Sequence, residues 1–554
     1  MATILERLQE WVESQPDKIL WNFLNEEGKV IDSFTYQQLD SASTLLANQL
    51  LSPQWGLKAG DRALLVFLPG LQYAVTLIAC FKASIIAVPV FPPDPRKVEK
   101  DIHHFVSIQA SSGAQVALTH KVYNFNRKLS GIKSLFASQK KSWPELKWLE
   151  VDDIIFRGKS KPSSSSLKLP SLNSIAFLQY TSGSTSDPKG VMISHANLAH
   201  NESIIIKELL ANKDTICVSW LPQYHDMGLI GSYLGLLYCG GTGYYISPIA
   251  FLKDPVLWIR AISLYKGTHT QAPNFAFALV TRKFKEAMKA DKNYARKELQ
   301  LDLSSVQNML NAAEPLDEAA INNFYATFDS YGLRRGVVVP TYGLAEHTVF
   351  VCSSGRSVLL LSKADFVNNN ITIQEKYLLQ DGSGSRNNNT EPSMHAVVGC
   401  GFPLKENGVE VLIVSDSNEA LPEDKVISQS ISCCYCNYCT VCLKKASFID
   451  GRDMGAIALQ SSGVLEPAVT YSGHIQRLPI NIVIVLISFL LGQRLSSDGR
   501  FRVSSRRGAL YMWQVKRSHH RSRHQSFPAG YRKICGGPDP GTQTRMLGCL
   551  FTSE

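Results

Sequence analysis

The residues best suited to chemistry lie in one stretch, residues 180–190, with the sequence YTSGSTSDPKG. It combines five hydroxyl side chains with two glycines, which let backbone N–H groups converge on an anion, and one positive charge. These residues are Thr181, Ser182, Gly183, Ser184, Thr185, Ser186, Lys189 and Gly190. The combination is typical of a polyphosphate-binding loop, although a solvated Ser/Gly turn has a similar composition. It is not a P-loop of the GxxxxGK[ST] type, because the lysine here precedes the last glycine.

The segments on either side of this loop predict how it is positioned. The apolar run SIAFLQ before it predicts a buried strand, and VMISHANLAHN after it predicts a strand end that passes into a helix. We therefore expect the order strand, phosphate loop, helix. Further upstream, residues 34–95 predict helix, strand, helix and strand, and the strands lack alternation of apolar and polar residues. This pattern favours an α/β fold with a doubly wound, mostly parallel sheet.

The loop sequence TSGSTSDPKG resembles the phosphate-binding signature of the adenylate-forming superfamily, which includes acyl-CoA synthetases, luciferases and peptide-synthetase adenylation domains. Its SDPKG form is most similar to the fatty acyl-AMP ligases. The resemblance covers residues 1–426 and implies a large N-terminal adenylate-forming domain with doubly wound mixed sheets. It also implies that the loop hydroxyls, its glycines and Lys189 hold pyrophosphate oxygens.

A second motif, PQYHDMG, occurs where an apolar strand breaks at Pro222. A histidine at such a junction is commonly structural. The resemblance implies instead that His225 lies beside the substrate carboxylate and that the following glycine-bearing helix walls an acyl tunnel. Glycines along that helix would leave room for an acyl chain, although tight helix packing would use them equally well. The implied substrate pocket consists of Trp220, His225, Asp226, Met227, Gly228 and Gly231.

Two further segments, NAAEP (residues 311–315) and PTYGLAEHTVF (residues 340–350), resemble the nucleotide site of the same family. By that resemblance Tyr342 and Ala313 hold adenine, and Glu346 offers Mg²⁺ the hard oxygen ligand that it prefers. A glutamate at a helix start can otherwise be only a favourable charge beside the helix dipole. The implied nucleotide-binding residues are Ala313, Glu314, Pro315, Thr341, Tyr342 and Gly343. We therefore expect ATP and Mg²⁺ as cofactors.

The resemblance implies ATP-dependent activation of a fatty acid to an acyl-adenylate, catalysed by positioning and charge through His225, Glu346 and Lys189. About fifty residues separate Glu346 from VGCGFP, and this surplus resembles the insertion that is held to hinder coenzyme A access in fatty acyl-AMP ligases. The implied acceptor is the phosphopantetheine of an acyl carrier protein or polyketide synthase carrier domain. The alternatives are an acyl-CoA ligase and a non-catalytic nucleotide- or acyl-binding pseudo-enzyme. An amino-acid adenylating domain should have an aspartate near Trp220, and none is present.

Charge and cysteine are unevenly distributed along the 554 residues. Residues 1–426 contain 41 Lys and Arg and 41 Asp and Glu, whereas residues 427–554 contain 16 and 6. The net charge of +10 therefore comes from the tail and does not indicate a nucleic-acid partner. The first residues predict an amphipathic helix with acidic side chains, unlike a secretory signal, so we expect a cytoplasmic protein. No transmembrane segment is expected, because the apolar run at residues 480–492 is too short to span a bilayer.

The tail, residues 427–554, lacks the RTGD motif, the hinge and the small C-terminal domain with a catalytic lysine that the family implies. Its cysteine-rich segment SCCYCNYCTVC has CxxC spacings but no separated second pair, which makes a zinc site the less favoured interpretation. Back-translation in a frame shifted by one base decodes residues 495–503, LSSDGRFRV, as YLRTGDFGF. The same frame turns residues 516–539 into a sequence that resembles the family's hinge. We therefore expect an out-of-frame or unspliced tail that is poorly packed.

Overall fold

The computed structural model describes residues 1–95, 98–134, 143–160, 167–181, 188–290, 300–362, 373–379, 394–402, 408–414, 431–436 and 439–443. The strands are β1 (Ile19–Leu24), β2 (Val30–Thr35), β3 (Arg62–Val66), β4 (Ile86–Pro89), β5 (Val116–Thr119), β6 (Lys147–Glu150), β7 (Ile175–Thr181), β8 (Lys189–Ser194), β9 (Ile216–Ser219), β10 (Thr242–Ile246), β11 (His269–Pro273), β12 (Asn308–Ala312), β13 (Val338–Pro340), β14 (Tyr342–Gly343), β15 (Phe350–Ser354), β16 (Ser357–Ser362), β17 (Ile373–Leu378), β18 (Met394–Val398), β19 (Gly401–Phe402), β20 (Glu410–Val414), β21 (Ile431–Cys436) and β22 (Cys439–Leu443).

The α-helices are α1 (Ile4–Ser14), α2 (Tyr36–Leu50), α3 (Leu71–Lys82), α4 (Val98–Ser112), α5 (Lys121–Ser134), α6 (Asp152–Ser160), α7 (His195–Glu208), α8 (Asp226–Gly228), α9 (Gly235–Cys239), α10 (Pro248–Lys253), α11 (Val256–Leu264), α12 (Asn274–Ala290) and α13 (Glu318–Phe328). Several begin at a capping box, in which a hydroxyl at the N-cap and the third helical residue exchange hydrogen bonds. Thr3 caps α1 in this way, Thr35 caps α2 and Ser194 caps α7. Residue types at these positions therefore fix where the helices start.

Two large sheets confirm the predicted doubly wound α/β architecture. One has the order β6-β5-β3-β4-β7-β8, and the other has the order β13-β12-β11-β9-β10-β1-β2. The pairings are parallel except at the edges, where β7 pairs with β8 and β1 pairs with β2 antiparallel. Helices cover the sheets, and one hydrophobic cluster includes residues of both. The central strands are buried on both faces, which explains their continuous apolar sequences.

The connection between β7 and β8 corrects the predicted order of elements around the phosphate loop. Thr181 pairs with Lys189 in an antiparallel register, so the loop joins two strands of a hairpin. Helix α7 begins only at His195, after β8, and its N-terminus does not follow the loop directly. Residues 182–187 lie outside the described residues, so the positions of Ser182, Gly183, Ser184, Thr185 and Ser186 stay predictions.

The later part of the described chain consists of small sheets. Part of the predicted insertion after Glu346 forms β16, β17 and β18, which pair in the order β17-β16-β18. In the tail, β21 pairs antiparallel with both β20 and β22, so the cysteine-rich segment forms two strands. Residues 444–554 lie outside the described residues, as do the apolar run, the basic stretch and the segments decoded in the shifted frame. Among the described residues, no helix is long and apolar enough to cross a membrane.

Candidate active site

The predicted site segments follow consecutive strands of the seven-stranded sheet. PQYHDMG follows β9, NAAEP continues from β12, and TYGLAEH follows β13, while β11 lies between β9 and β12 in the sheet. These four strands run parallel and are neighbours in the order β13-β12-β11-β9. Carboxyl ends of parallel strands meet at one edge of the sheet, where α/β proteins bind ligands. The fold therefore brings the separate motifs to a common edge.

The HDMG turn, defined as residues Tyr224–Gly228, is held by both large sheets. From the six-stranded sheet, the Gln179 side chain donates a hydrogen bond to the carbonyl of Tyr224 at 3.2 Å. From the seven-stranded sheet, the Gln271 side chain donates one to the carbonyl of Met227 at 2.8 Å. The backbone N–H of His225 also donates to Pro222 at 3.1 Å. The turn is thus fixed where the two sheets approach each other.

His225 and Asp226 form a close pair in this turn. His225 Nδ1 lies 2.8 Å from Asp226 Oδ1, and the side chains are 52% and 15% exposed. Burial alone would lower the pKa of His225, but the charge and hydrogen bond of Asp226 outweigh it and raise that pKa. Burial likewise opposes ionisation of Asp226, yet His225 and the Met227 N–H lower its pKa. The pair therefore favours the protonated form of a half-exposed imidazole, and that positive charge suits a substrate carboxylate.

Glu346 lies in a short 3₁₀ turn, Ala345–His347, and is electrostatically coupled to two other motifs. The pKa of Glu346 is raised, mainly by burial and to a lesser extent by the negative charge of Asp226. Its own backbone N–H and the positive charge of Lys189 act in the opposite direction. Lys189, from the end of the phosphate loop, and Asp226, from the HDMG turn, are therefore both within range to influence the pKa of Glu346. The structure brings together three predicted site residues that are widely separated in sequence.

Asn201 is a site-supporting residue that the sequence reasoning missed. It lies buried on α7, and its amide group forms two hydrogen bonds with the backbone of Phe350. The side-chain nitrogen donates to the Phe350 carbonyl at 2.8 Å, and the side-chain oxygen accepts from the Phe350 N–H at 3.0 Å. This residue ties the strand after Glu346 to α7. Its position six residues after a strongly predicted helix start offered no signal of that role.

The residues predicted to bind the nucleotide lie at the ends of β12 and β13. Ala313 has a positive φ of 68°, which turns the chain away from β12. The next residue, Glu314, accepts a hydrogen bond from the N–H of Phe275 through its carboxylate. Thr341 N–H donates to the Asn311 carbonyl at 3.0 Å, which joins the two segments. Burial raises the pKa of Glu314 to about 7, although the Phe275 N–H opposes this shift. The neighbouring residues Pro315, Tyr342 and Gly343 are each partly exposed to solvent.

The fit of a nucleotide can be judged from one buried polar atom and from the carboxylates. Asn311 Oδ1 is buried without a hydrogen-bond partner among the described residues, next to the turn predicted to hold adenine. An acceptor there fits the exocyclic amine of adenine. The described residues contain no group of three or more His, Cys, Asp or Glu that could hold a metal. Mg²⁺ commonly uses one or two carboxylates together with substrate phosphates and water, so Glu346 fits its requirements.

The glycines of the HDMG turn and of the helical segment after it leave only part of the room expected for an acyl chain. A Cβ on Gly228 would lie 2.3 Å from the Pro222 carbonyl oxygen, and one on Gly240 would lie 2.9 Å from Trp11. At these positions the glycine serves tight packing, and the acyl-tunnel interpretation is wrong there. Gly231 and Gly235 instead line a small cavity. Trp220 is also packed, with its ring stacked on Phe251 at 3.7 Å.

The fold and the site together define an adenylate-forming domain. Residues 8–426 match the AMP-binding enzyme family, and the chain belongs to that family. The predicted resemblance is thereby confirmed.

Individual relatives extend the comparison. The chain is 33% identical over 422 residues to the medium-chain-fatty-acid–[acyl-carrier-protein] ligase JamA of Moorena producens, covering 75% of this chain and 65% of JamA. It is 32% identical to the corresponding ligase TtuA of Teredinibacter turnerae, covering 64% and 57%. The chain thus spans less than two thirds of the length of these relatives. The fatty acyl-adenylate ligase of L. pneumophila, solved with acyl adenylate and pyrophosphate, superposes with a TM-score of 0.65 at 30% identity, covering 79% of this chain and 69% of that one.

Proposed function

We propose that residues 1–426 form a fatty acyl-AMP ligase domain. The carboxylate oxygen of a fatty acid would form a bond to the α-phosphorus of ATP while the bond from that phosphorus to pyrophosphate breaks. The observation that carries this proposal is the convergence of Lys189, Asp226 and Glu346, from three motifs, at the carboxyl edge of the parallel strands. Similarity to the acyl-carrier-protein ligases and to the acyl-adenylate ligase structure supports it.

Each group contributes charge or position to this step. His225 would hold the fatty carboxylate beside the α-phosphorus, and its pair with Asp226 raises its pKa and so favours the charged imidazole. Lys189 and the loop hydroxyls would neutralise the leaving pyrophosphate. Ala313 and Tyr342 would hold the adenine, and Glu346 would hold Mg²⁺. When bound, the metal neutralises phosphate charge.

Binding of an acyl-adenylate mimic tests the site independently of turnover. We expect a non-hydrolysable acyl-sulfamoyl adenosine to bind the folded chain in calorimetry. Lys189→Ala should weaken ATP–pyrophosphate exchange more than it weakens mimic binding, because the mimic lacks the leaving phosphates. Lys207→Ala, a change of an exposed lysine on α7, serves as the matched control. No heat at high micromolar mimic from a folded sample would overturn the proposal.

The insertion between Glu346 and Val398 indicates which molecule accepts the acyl group. We propose that the acyl group passes to the phosphopantetheine of an acyl carrier protein or polyketide synthase carrier domain, and that coenzyme A is a poor acceptor. An assay of a frame-restored chain with each acceptor should give carrier acylation well above acyl-CoA formation. Comparable rates with the two acceptors would favour an acyl-CoA ligase. Five cysteines, Cys80, Cys217, Cys239, Cys352 and Cys400, are buried and form no disulfide, which fits a cytoplasmic location.

The tail carries a separate proposal about the chain itself. We propose that residues 427–554 are read out of frame, which the end of the family match at residue 426 supports. The chain would then lack the ribose-binding aspartate and the catalytic lysine that the resemblance implies. Its adenylation should be severely impaired, and a chain restored to the shifted frame after Val426 should be active. Sequencing transcripts across the codons for Val426 and Leu495 tests this. One uninterrupted frame, together with a protease-resistant fold for the tail, would overturn it.

A further inference from the structure

Helix α5 is oriented opposite to an ordinary surface helix. Its buried side includes Tyr123 and the polar residue Asn124, which are 1% and 2% exposed. Val122 and Phe125 are each 62% exposed, and Leu129 is 43% exposed. These three residues occupy positions i, i+3 and i+7, so they share one face, which we call the α5 apolar face. A surface helix normally turns such a face toward the core, whereas α5 turns it toward solvent.

Hydrogen bonds on the buried side hold α5 in this orientation. The hydroxyl of Tyr123 donates to the carbonyl of Pro93 at 2.7 Å. The side chain of Asn124 donates to the carboxylate of Glu150, also at 2.7 Å. A rotation that buried the α5 apolar face would break both contacts. The exposed apolar residues are therefore a fixed feature of the fold, and contiguous exposed apolar surface commonly marks an interaction site.

Phe156 of α6 is a further exposed apolar residue in this region, with 73% of its surface exposed. It follows Asp153 by three positions, and Asp153 Oδ1 lies 2.6 Å from Lys121 Nζ at the start of α5. Residues three apart lie on the same side of a helix. Phe156 is therefore on the side of α6 that meets the start of α5, so two adjacent helices expose apolar residues in one region.

The charges of α5 indicate what covers its apolar face. Residues 121–141 contain six Lys and Arg and no Asp or Glu. Lys121 and Lys128 are both exposed, and each has an ion pair with an acidic residue of another element, at 2.6 Å and 3.9 Å. Such exposed pairs are weak, so an anionic surface can replace the acidic partner. Apolar residues combined with Lys and Arg on one helix without acidic residues are typical of a helix that lies on an anionic membrane surface.

Leu68 connects the start of α5 to the HDMG turn. Its N–H donates to Nε2 of His120, the residue directly before α5, at 3.2 Å. Its carbonyl accepts a hydrogen bond from the side chain of Gln223 at 3.2 Å, and Gln223 directly precedes the HDMG turn. The side chain of Leu68 is itself exposed. The start of α5 therefore lies close to the turn that carries the candidate carboxylate-binding residue.

We propose that α5 and Phe156 form a membrane-contact surface that rests on an anionic lipid bilayer. The α5 apolar face would enter the boundary between headgroups and acyl chains, and Lys121 and Lys128 would contact lipid phosphates. This inference goes beyond the proposed function, because it assigns the chain a lipid surface as a further partner. For a fatty acyl-AMP ligase, the contact would bring the HDMG turn close to the phase into which fatty acids partition. The contact is peripheral, since no helix among the described residues could cross a membrane.

Vesicle flotation tests the proposal on the full chain. The probes are vesicles of three parts phosphatidylcholine to one part phosphatidylserine, and vesicles of phosphatidylcholine alone. We expect the wild type to bind the anionic vesicles more tightly, and salt to weaken that binding. The double variant Phe125→Ser, Leu129→Ser should lower the partition coefficient at least about tenfold, because two side chains no longer enter the bilayer. Leu264→Ser, at a 65% exposed residue of α11, is the matched control and should leave it unchanged.

The outcomes separate this inference from the proposed function. Absence of wild-type binding to anionic vesicles, or equal binding to both kinds, would overturn the membrane contact. Binding that the double variant retains, or that Leu264→Ser loses equally, would also overturn it, because another part of the chain would then be responsible. The acyl-sulfamoyl adenosine should bind the wild type and the double variant alike without vesicles, and if the double variant does not fold, Phe125→Ser alone decides. Failure of this mimic to bind the folded wild type would overturn the proposed function and leave the membrane contact intact.

Discussion

Two turns carry the charged residues of the site, and they are stabilised in opposite ways. The HDMG turn is held from outside, by Gln179 of β7 and Gln271 of β11, which belong to different sheets. Its glycine, Gly228, allows the turn to approach the Pro222 carbonyl closely. Regular structure on two sides thus fixes the position of His225 and Asp226.

The second turn, residues 344–350 or the Glu346 turn, is held mainly by itself. The N–H of Leu344 donates to Val349 at 2.8 Å, and the N–H of Thr348 donates to Ala345 at 3.0 Å. Thr348 has a φ of 71°, an uncommon conformation for a β-branched residue. The side chain of Asn201 on α7 anchors this turn through its two hydrogen bonds to the backbone of Phe350.

The difference shows two routes to a positioned carboxylate. The two large sheets fix the position of Asp226, so substitutions that disturb the local fold should displace its carboxylate most. Glu346 depends on a strained turn and on the distant amide of Asn201, so this one side chain should affect it strongly without disturbing the sheets. Backbone strain of this kind is common where a site residue must be held in one place.

The largest expected effect comes from Gly228→Ala. A Cβ at that position would lie 2.3 Å from the Pro222 carbonyl oxygen, so the HDMG turn must move. We expect a loss of about 2–4 kcal/mol in the free energy of unfolding, measured by urea denaturation, and loss of mimic binding.

Gly235→Ala is the matched control for this change. Its Cβ would meet neighbours at 3.4 Å, an ordinary contact, and alanine is favoured over glycine in a helix. It should leave stability unchanged or slightly higher. Equal effects of the two substitutions would show that close packing at Pro222 does not fix the HDMG turn.

Next in size is Asn201→Ala, which acts on the Glu346 turn. The substitution leaves the buried N–H of Phe350 without the Asn201 acceptor and leaves its carbonyl with the contact from His347 Nδ1 at 2.9 Å, which costs about 2 kcal/mol. The Mg²⁺ dependence of ATP–pyrophosphate exchange should change more than the stability loss alone explains, because Glu346 loses its anchor. Asn322→Ala, at a surface amide with a longer 3.4 Å contact to Glu318, is the control. An Asn201→Ala protein with unchanged Mg²⁺ dependence would contradict the anchoring role.

The same comparison explains what the sequence could predict. The strand break at Pro222, the helix after it and the motif at His225 are local signals, so the HDMG turn was predicted. The anchor of the Glu346 turn is not local, because Asn201 lies 149 residues from Phe350. Nothing in the spacing around Asn201 distinguishes it from any buried helical residue.

Two other features escaped prediction for physical reasons. The sequence predicts a strand end before α7, but it does not predict that this segment, β8, pairs antiparallel with β7. Only pairing with β7 makes it a strand, and pairing partners are not visible in one segment. Glu202 had no signal either, since a glutamate on a helix is normally solvated, whereas this one is fully buried. The main fold was predictable because strand and helix alternate regularly from β3 onward.

The smallest expected effect comes from Asp226→Asn, which removes one charge from the HDMG turn and keeps its shape. Asp226 raises the pKa of His225, so the variant should have a lower His225 pKa, measured by NMR titration of the imidazole. The raised His225 pKa stabilises the fold below the unfolded value of about 6.5, and this contribution is lost as pH rises through the folded pKa. The lowered Asp226 pKa contributes stability above about 3.9, which is lost as pH falls. The variant should therefore lose stability mainly between these limits, by under about 1 kcal/mol because His225 is half exposed. At pH 9 it should differ least from the wild type. A His225 pKa that Asp226→Asn leaves unchanged would show that the two side chains do not form a charged pair in solution, and the HDMG turn would then owe its geometry to the sheets alone.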